Sequence, residues 1–97
     1  MTTYYFSIYD RKAKAFGDLL RFYSNERAAV LRFFKDVVFD AGPSGESYYA
    51  KYCEDFDLYF IGTFDKTLGT FSFEEPEFII NASAYFPDRV EVEDDKE

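Results

Sequence analysis

Aromatic side chains dominate the chemical potential of this chain: 13 Phe and 9 Tyr supply 23% of its 97 residues. A ring fully enclosed in a core buries on the order of 150–250 Å², and a domain of this length has a small interior. Some rings are therefore expected to meet a partner, whether a second copy of the chain, another protein or an unstacked nucleic acid. Among the tyrosines, Tyr5, Tyr9 and Tyr23 are interleaved with Arg11, Lys12, Lys14 and Arg21, and Tyr59 lies further along. Rings beside cations form a surface on which bases stack at roughly 1–3 kcal/mol each while the cations follow the phosphates, which favours single strands over duplex.

Other chemistry finds little material. There is no His, and the single Cys53 excludes an internal disulfide, a zinc-finger spacing and a Cys/His dyad. No Gly-rich phosphate loop or nucleophile elbow is present, so no catalytic residue is expected and the chain reads as a non-enzyme without cofactors. Cys53 reads as a small apolar filler. Glu54, Asp55, Asp57 and Asp65 are the carboxylate type that holds Mg²⁺, yet they follow no ligand spacing. Their alternation with Phe56 and Leu58 equally serves to guard a strand edge, and no metal site is assigned.

The formal charge is −8, which by itself opposes phosphate binding. Its distribution is uneven, however. Residues 1–40 carry seven basic and five acidic side chains, a balance of +2, so the remainder carries −10. Much of the negative charge falls in residues 88–97, which read as an acidic, disordered, self-repelling tail after a single domain over residues 1–87. Such a tail keeps a protein in solution or competes with DNA for the protein's own basic face. The N-terminus lacks the pattern of a signal peptide, and no apolar run approaches the roughly 18 residues of a membrane span. A cytosolic protein without a membrane partner is expected.

The elements that must position these residues follow from periodicity. Residues 4–10 alternate as a strand, with Tyr4, Phe6 and Ile8 on one side and Tyr5, Ser7 and Tyr9 on the other. A basic connector leads to a second strand over residues 15–23, bulged near Gly17. Ser24 or Asn25 supplies a helix cap, and Val30, Phe33, Phe34, Val37 and Val38 recur at helical spacing until Ala41-Gly42-Pro43. Residues 42–47 read as a flexible loop. In residues 56–64 the even positions Phe56, Leu58, Phe60, Gly62 and Phe64 suit a core face. Asp65 and Gly69 then make a hairpin turn, residues 70–74 return with Phe71 and Phe73 inward, and Pro76 ends the strand. Residues 78–86 are apolar and read as a last strand or a packed segment.

These elements predict an α+β fold: an antiparallel sheet of about four to five strands, in ββαββ order, with one amphipathic helix on one face. Phe6, Ile8, Phe60, Phe71 and Phe73 would meet Val30, Phe33, Phe34 and Val37 beneath that helix. The opposite face would display Tyr5, Tyr9, Tyr23, Tyr59 and Ile61, bordered by Arg11, Lys12, Lys14 and Arg21. Tyr tolerates a half-wet strand surface, so a face of this kind is also at home in plain solvent or against a second subunit. Three cations in four residues are equally at home in a solvated turn.

Two stretches carry a family resemblance. Phe6-Ser7-Ile8-Tyr9-Asp10-Arg11-Lys12-Ala13, followed by Phe16-Gly17, resembles the N-terminus of the small nonstructural protein of gokushoviruses, the single-stranded DNA phages of the microvirus family. Glu54-Asp55-Phe56-Asp57-Leu58-Tyr59, continuing through Ile61-Gly62-Thr63-Phe64-Asp65 to Thr67 and Gly69, is similar to that family's other characteristic stretch. The resemblance covers most of the chain up to about Phe86 and names no catalytic motif. It implies a DNA-binding protein of the infected bacterium's cytoplasm, absent from the mature virion and compared with the microvirus C protein, which turns replication toward single-stranded genomes and their packaging. Single-stranded DNA is then the expected partner, bound through Tyr5, Tyr9, Arg11, Lys12, Lys14, Arg21, Tyr23 and Tyr59 by a homodimer. Two other readings stay open: a protein-interaction module engaging phage or host replication proteins, and a homo-oligomeric structural module.

Overall fold

The computed structural model describes residues 1–24, 26–40 and 47–87. Its elements in chain order are β1 (Thr2–Asp10), β2 (Ala15–Phe16), β3 (Leu20–Phe22), α1 (Arg27–Phe39), a short α2 (Tyr48–Lys51), a 3₁₀ turn (Cys53–Asp55), β4 (Phe56–Asp65), β5 (Thr70–Asn81) and a second 3₁₀ turn (Ala82–Tyr85). All strand pairs are antiparallel. The sheet runs β2-β1-β4-β5, with β3 also on β1, so β2 and β3 lie end to end along one edge of β1. The fold is α+β as the periodicity predicts, but the ββαββ order is not what forms. Three strands precede the helix, because the expected strand over residues 15–23 breaks at Gly17-Asp18-Leu19. The break stays tethered: the Gly17 amide donates to the Ile8 carbonyl at 2.9 Å and the Ser7 hydroxyl donates to the Gly17 carbonyl at 3.0 Å.

The core lies between the sheet and α1. Val30, Phe34 and Val38, spaced four residues apart on one helical stripe, are buried with Phe6, Phe56, Leu58, Cys53 and Ala82. Complete burial of a side chain the size of Phe6 or Phe34 contributes roughly 2–3 kcal/mol. Arg27, at the start of α1, lies over the rings of Phe6 and Phe60 at 5.6 Å from each centroid and pairs with Glu77 at 3.3 Å. Two parts of the predicted interface shift outward. Phe33 is 40% exposed and meets the edge of Phe22 instead of the core centre, and Val37 is only half-buried. Glu26, not Ser24, occupies the N-cap position; Ser24 Oγ accepts the Glu26 amide at 3.1 Å just before it. The Asn25 cap, the Ala41-Gly42-Pro43 stop, the loop to residue 46 and the acidic tail lie outside the described residues.

Bulges decide the faces. Tyr5 pairs with Gly62 and the next residue, Phe6, pairs with Phe60, so Ile61 is an extra residue in β4. Since side chains alternate with period two, one inserted residue exchanges the faces beyond it. Phe56, Leu58 and Phe60 stay on the core side, whereas Gly62 and Phe64 cross to the outer one. Their β5 partners are Phe73 and Phe71, which therefore point outward and are 51% and 56% exposed. Both rings were expected in the core. Nor does Pro76 end the strand: β5 runs on to Asn81, with residues 74–76 lying between the Gly62–Phe73 and Phe60–Glu77 pairs. Proline is accommodated here because it falls on an edge strand, in an irregular stretch between two ladder pairs.

Candidate nucleic-acid interface

The face opposite α1 collects residues from every strand. Thr3, Tyr5, Ser7 and Tyr9 alternate outward along β1. Across from them stand Phe64, Gly62, Tyr59 and Asp57 on β4, Phe16 on β2 and Arg21 on β3, and β5 adds Phe71, Phe73, Phe78 and Asn81. The rings form two clusters. In the first, Tyr9 lies 4.8 Å from Phe16 and 5.9 Å from Tyr59, Phe16 lies 5.3 Å from Tyr59, and Tyr59 lies 5.8 Å from Phe78. In the second, Phe71 touches Tyr5 at 6.2 Å, Phe64 at 4.5 Å and Phe73 at 5.1 Å. Tyr5 and Tyr9 are four residues apart on one strand, which separates the clusters by about 13 Å.

Small residues set the rings down on the sheet. Ser7 stands opposite Tyr59 and is itself buried, as is Thr3 opposite Phe64. Gly62 has the sharpest requirement: a Cβ there would meet the Ser72 carbonyl at 2.5 Å and the Phe73 ring at 2.6 Å. Only glycine lets Phe73 lie against β4, where its plane is within 16° of that of Phe71. Two nearly parallel, half-exposed rings present flat π surface, the geometry a nucleobase stacks on.

Cations stand at both ends of this face. At the Tyr9 end, Arg11 Nε donates to Asp57 Oδ2 at 2.7 Å, and Asn81 Nδ2 donates to Asp57 Oδ1 at 2.7 Å. Asp57 is buried, so the guanidinium is fixed from below. Its hydrogen bond to Asp57 also holds the Arg11 pKa above the ordinary value. The bond uses Nε, and the half-exposed side chain leaves its two terminal amino groups, the part of the fork suited to a phosphate, at the surface. Lys12 and Lys14 follow, exposed, in the β1–β2 turn. At the Tyr5 end, Arg21 lies 5.3 Å and Lys66 Nζ 4.7 Å from the Tyr23 ring, placing two charges over one exposed aromatic.

The sites expected from sequence thus divide. Tyr5, Tyr9 and Tyr59 share the outer face, with Tyr9 and Tyr59 in contact. Arg11 joins them, but as half of an ion pair with Asp57, one of the carboxylates that could have served a metal. Arg21 and Tyr23 form a separate cation–ring group, and Ile61 is the bulge residue, half-buried, instead of a member of the platform. Sequence reasoning missed Phe16, Phe71, Phe73, Phe78 and Lys66. The β4 bulge that exposes Phe71 and Phe73 has no local signature beyond Ile61-Gly62, whereas the Phe16 position opposite Tyr9 was readable from a hairpin centred on residues 11–14. Among the described residues, no three Asp, Glu, His or Cys side chains gather in a way that would hold a metal ion, and no helix is long and apolar enough to cross a membrane.

Comparison with known proteins bears on this arrangement. No solved structure matches the chain significantly. The chain is 44% identical over 90 residues to Protein ORF5 of Chlamydia phage 1, an alignment covering 91% of this chain and 92% of that protein, in line with the resemblance to a gokushovirus small protein. The family model described as Phage ORF5 protein matches residues 3–85, a span that holds β1 from its second residue, β2 to β5 and both ring clusters. This chain therefore belongs to the Phage ORF5 protein family.

Proposed function

We propose that this protein binds single-stranded DNA on the sheet face opposite α1, stacking bases on its two ring clusters and holding phosphates with the cations at each end. The observation that carries this reading is the half-exposed cluster of Tyr9, Phe16, Tyr59 and Phe78 beside an arginine fixed by a buried carboxylate. Stacking is sequence-tolerant, since every base has a π face. During infection, such a protein acts without catalysis in the host cytoplasm, holding single-stranded genome during its replication or packaging, and is not retained in the mature virion. It works as a homodimer: β5 is the outermost strand of the sheet, and a second copy alongside it would continue the ring platform across both molecules.

A titration of labelled single-stranded and duplex oligonucleotides at low and physiological salt tests this. Tighter binding of the single strand is expected, together with a steep loss of affinity as salt rises, because phosphate contacts release counterions. Equal affinity for both forms, or no binding at low salt, would remove the proposal. One observation favours a second reading, in which the face docks on a phage or host replication protein: Phe71, Phe73 and Phe78, which lack a polar handle, are each at least 50% exposed. Such an interface would respond weakly to salt, which separates the two.

A further inference from the structure

On the other side of the sheet edge, the β1–β2 turn, the strand break at residues 17–19 and α2 enclose an open cleft of about 490 Å³. Phe16, Tyr48, Tyr49 and Phe56 supply its rings, and Asp10 and Asp18 its carboxylates. A hollow of about 370 Å³ shares Asp10, Tyr48 and Phe56 with it and adds Lys12, Tyr52 and Asp55. We infer that this cleft takes one nucleobase of the strand held on the aromatic face, and that it selects a base carrying an exocyclic amine. The inference rests on the single-strand reading above and adds to it a position where base identity matters.

Three features argue for this occupant. The first is continuity, because Phe16 belongs to both surfaces: it contacts Tyr9 and Tyr59 on the outer face and lines the cleft. A strand leaving the platform over Phe16 enters the cleft directly. The second is shape. Tyr48 is 62% exposed yet is held by Tyr52 at 5.1 Å and Phe56 at 5.6 Å, so its ring forms a fixed wall. The cleft is within the size range of small-molecule sites.

The third feature is the polarity of the walls. Asp10 Oδ1 accepts the amides of Lys12 at 2.9 Å and Ala13 at 3.1 Å, which immobilises the carboxylate. Both bonds use Oδ1, and among the described residues Oδ2 keeps its lone pairs for a ligand. Ionised carboxylates only accept hydrogen bonds. Cytosine, adenine and guanine offer an exocyclic amino donor, whereas thymine and uracil offer only the ring N3–H, flanked on both sides by carbonyls that would face the carboxylate lone pair to lone pair. An apolar peptide or lipid tail would cover Asp10 Oδ2 and the Asp18 carboxylate while offering them no donor, at high cost. Lys12 and Lys14, in the same turn, are placed to take the phosphates on either side of the inserted base.

Decamers of deoxycytidine and deoxyuridine test this at neutral pH, since they present the same backbone and pyrimidine ring and differ at position 4 and in the proton on N3. The cleft predicts roughly three- to tenfold tighter binding of the cytidine decamer, the discrimination of a hydrogen bond or two to a base edge. In D10N/D18N the turn amides keep the side-chain carbonyl oxygen at position 10 and an amide donor replaces the free carboxylate oxygen, so the cytidine preference should vanish or reverse. Asp18 is exposed and outside any strand, so D18N alone provides a folded control in which the preference must already shrink. Equal affinities in the unmodified protein, or a cytidine preference that survives in D18N and D10N/D18N, would overturn the base-reading cleft while leaving the platform standing. Failure of both decamers to bind would overturn the platform and the cleft together.

Discussion

Lys14 occupies a position that suits glycine better. The β1–β2 and β4–β5 turns are built alike: an aspartate side chain (Asp10, Asp65) caps two amides, and the amide four residues on returns to its carbonyl at 2.7 Å. The residue making that return bond has positive φ in both turns, 69° at Gly69 and 59° at Lys14. A side chain in this left-handed region costs about 1 kcal/mol. Lys14→Gly should therefore stabilise the fold by at most about 0.5 kcal/mol, because the greater freedom of glycine in the unfolded chain offsets much of the gain. It should also weaken oligonucleotide binding, because a cation beside the platform is lost. Chemical denaturation and a binding titration on the same variant check both halves; a variant that is more stable and binds equally well would release Lys14 from the interface.

Arg11 and Asp57 make a second argument from single residues. Asp57→Asn removes the ion pair and one charge-assisted bond from Asn81, and is expected to cost about 1–3 kcal/mol of stability. The cost stays at that scale because Arg11 can turn to solvent. Oligonucleotide affinity should fall as well, even though the net charge becomes less negative. A rise in affinity, as simple charge counting would give, would show that fixing the guanidinium does not matter. The Asp57 role was not legible in the sequence: alternation placed it on a strand face, but the pairing with residue 11 needs the β1–β4 register, which only the folded sheet supplies.

Among the elements, β4 shows most clearly where pattern reading ends. Tyr4, Phe6 and Ile8, and likewise Leu58 and Phe60, sit on the side that alternation predicts. Beyond Ile61 the pattern continues unbroken in the sequence while the geometry reverses, so Phe71 and Phe73 turn up outside. The helix was legible because its apolar stripe repeats over three turns. The short β2 and β3 were not, since two or three residues carry no usable period. Gly62 is the hinge of this arrangement, and Gly62→Ala should destabilise the β4–β5 pair by about 1–3 kcal/mol, because the new methyl meets a backbone carbonyl and cannot be accommodated by a side-chain rotation alone. A thermal melt that shows no loss would contradict the close seating of Phe73 on β4.

The C-terminal 3₁₀ turn makes its own prediction. Burial raises the Tyr85 phenol above its ordinary pKa, and its hydroxyl donates to the Leu31 carbonyl at 3.4 Å. A raised folded-state value means that the neutral phenol stabilises the fold. This contribution is complete below the unfolded-state value near pH 10 and is lost as pH rises through the higher folded value. Tyr85→Phe should flatten the fall in stability above pH 10, measured by denaturation across that range.

At the scale of the whole molecule, the sheet separates two kinds of aromatic residue. One set, centred on Phe6, Phe34 and Phe56, closes the core against α1; the other, from Tyr5 and Tyr9 across to Phe71, Phe73 and Phe78, faces away from it. Composition made the surplus of rings legible, and only the order and registers of the strands show that the surplus gathers on one face. A net charge of −8 makes electrostatic attraction to DNA a local property of the cations at the two ends of the platform, so stacking has to carry much of the affinity. The chain contains 9 Tyr and no Trp, so its intrinsic emission is tyrosine emission, to which the platform rings Tyr5, Tyr9 and Tyr59 contribute without a label. Titration with an unlabelled single-stranded oligonucleotide at low salt should quench tyrosine fluorescence as bases stack. The variant Y5A/Y9A/Y59A, with its fold confirmed by circular dichroism, should lose both most of the quenching and most of the affinity. Binding with unchanged emission, or undiminished affinity in that variant, would contradict a stacking platform on this face.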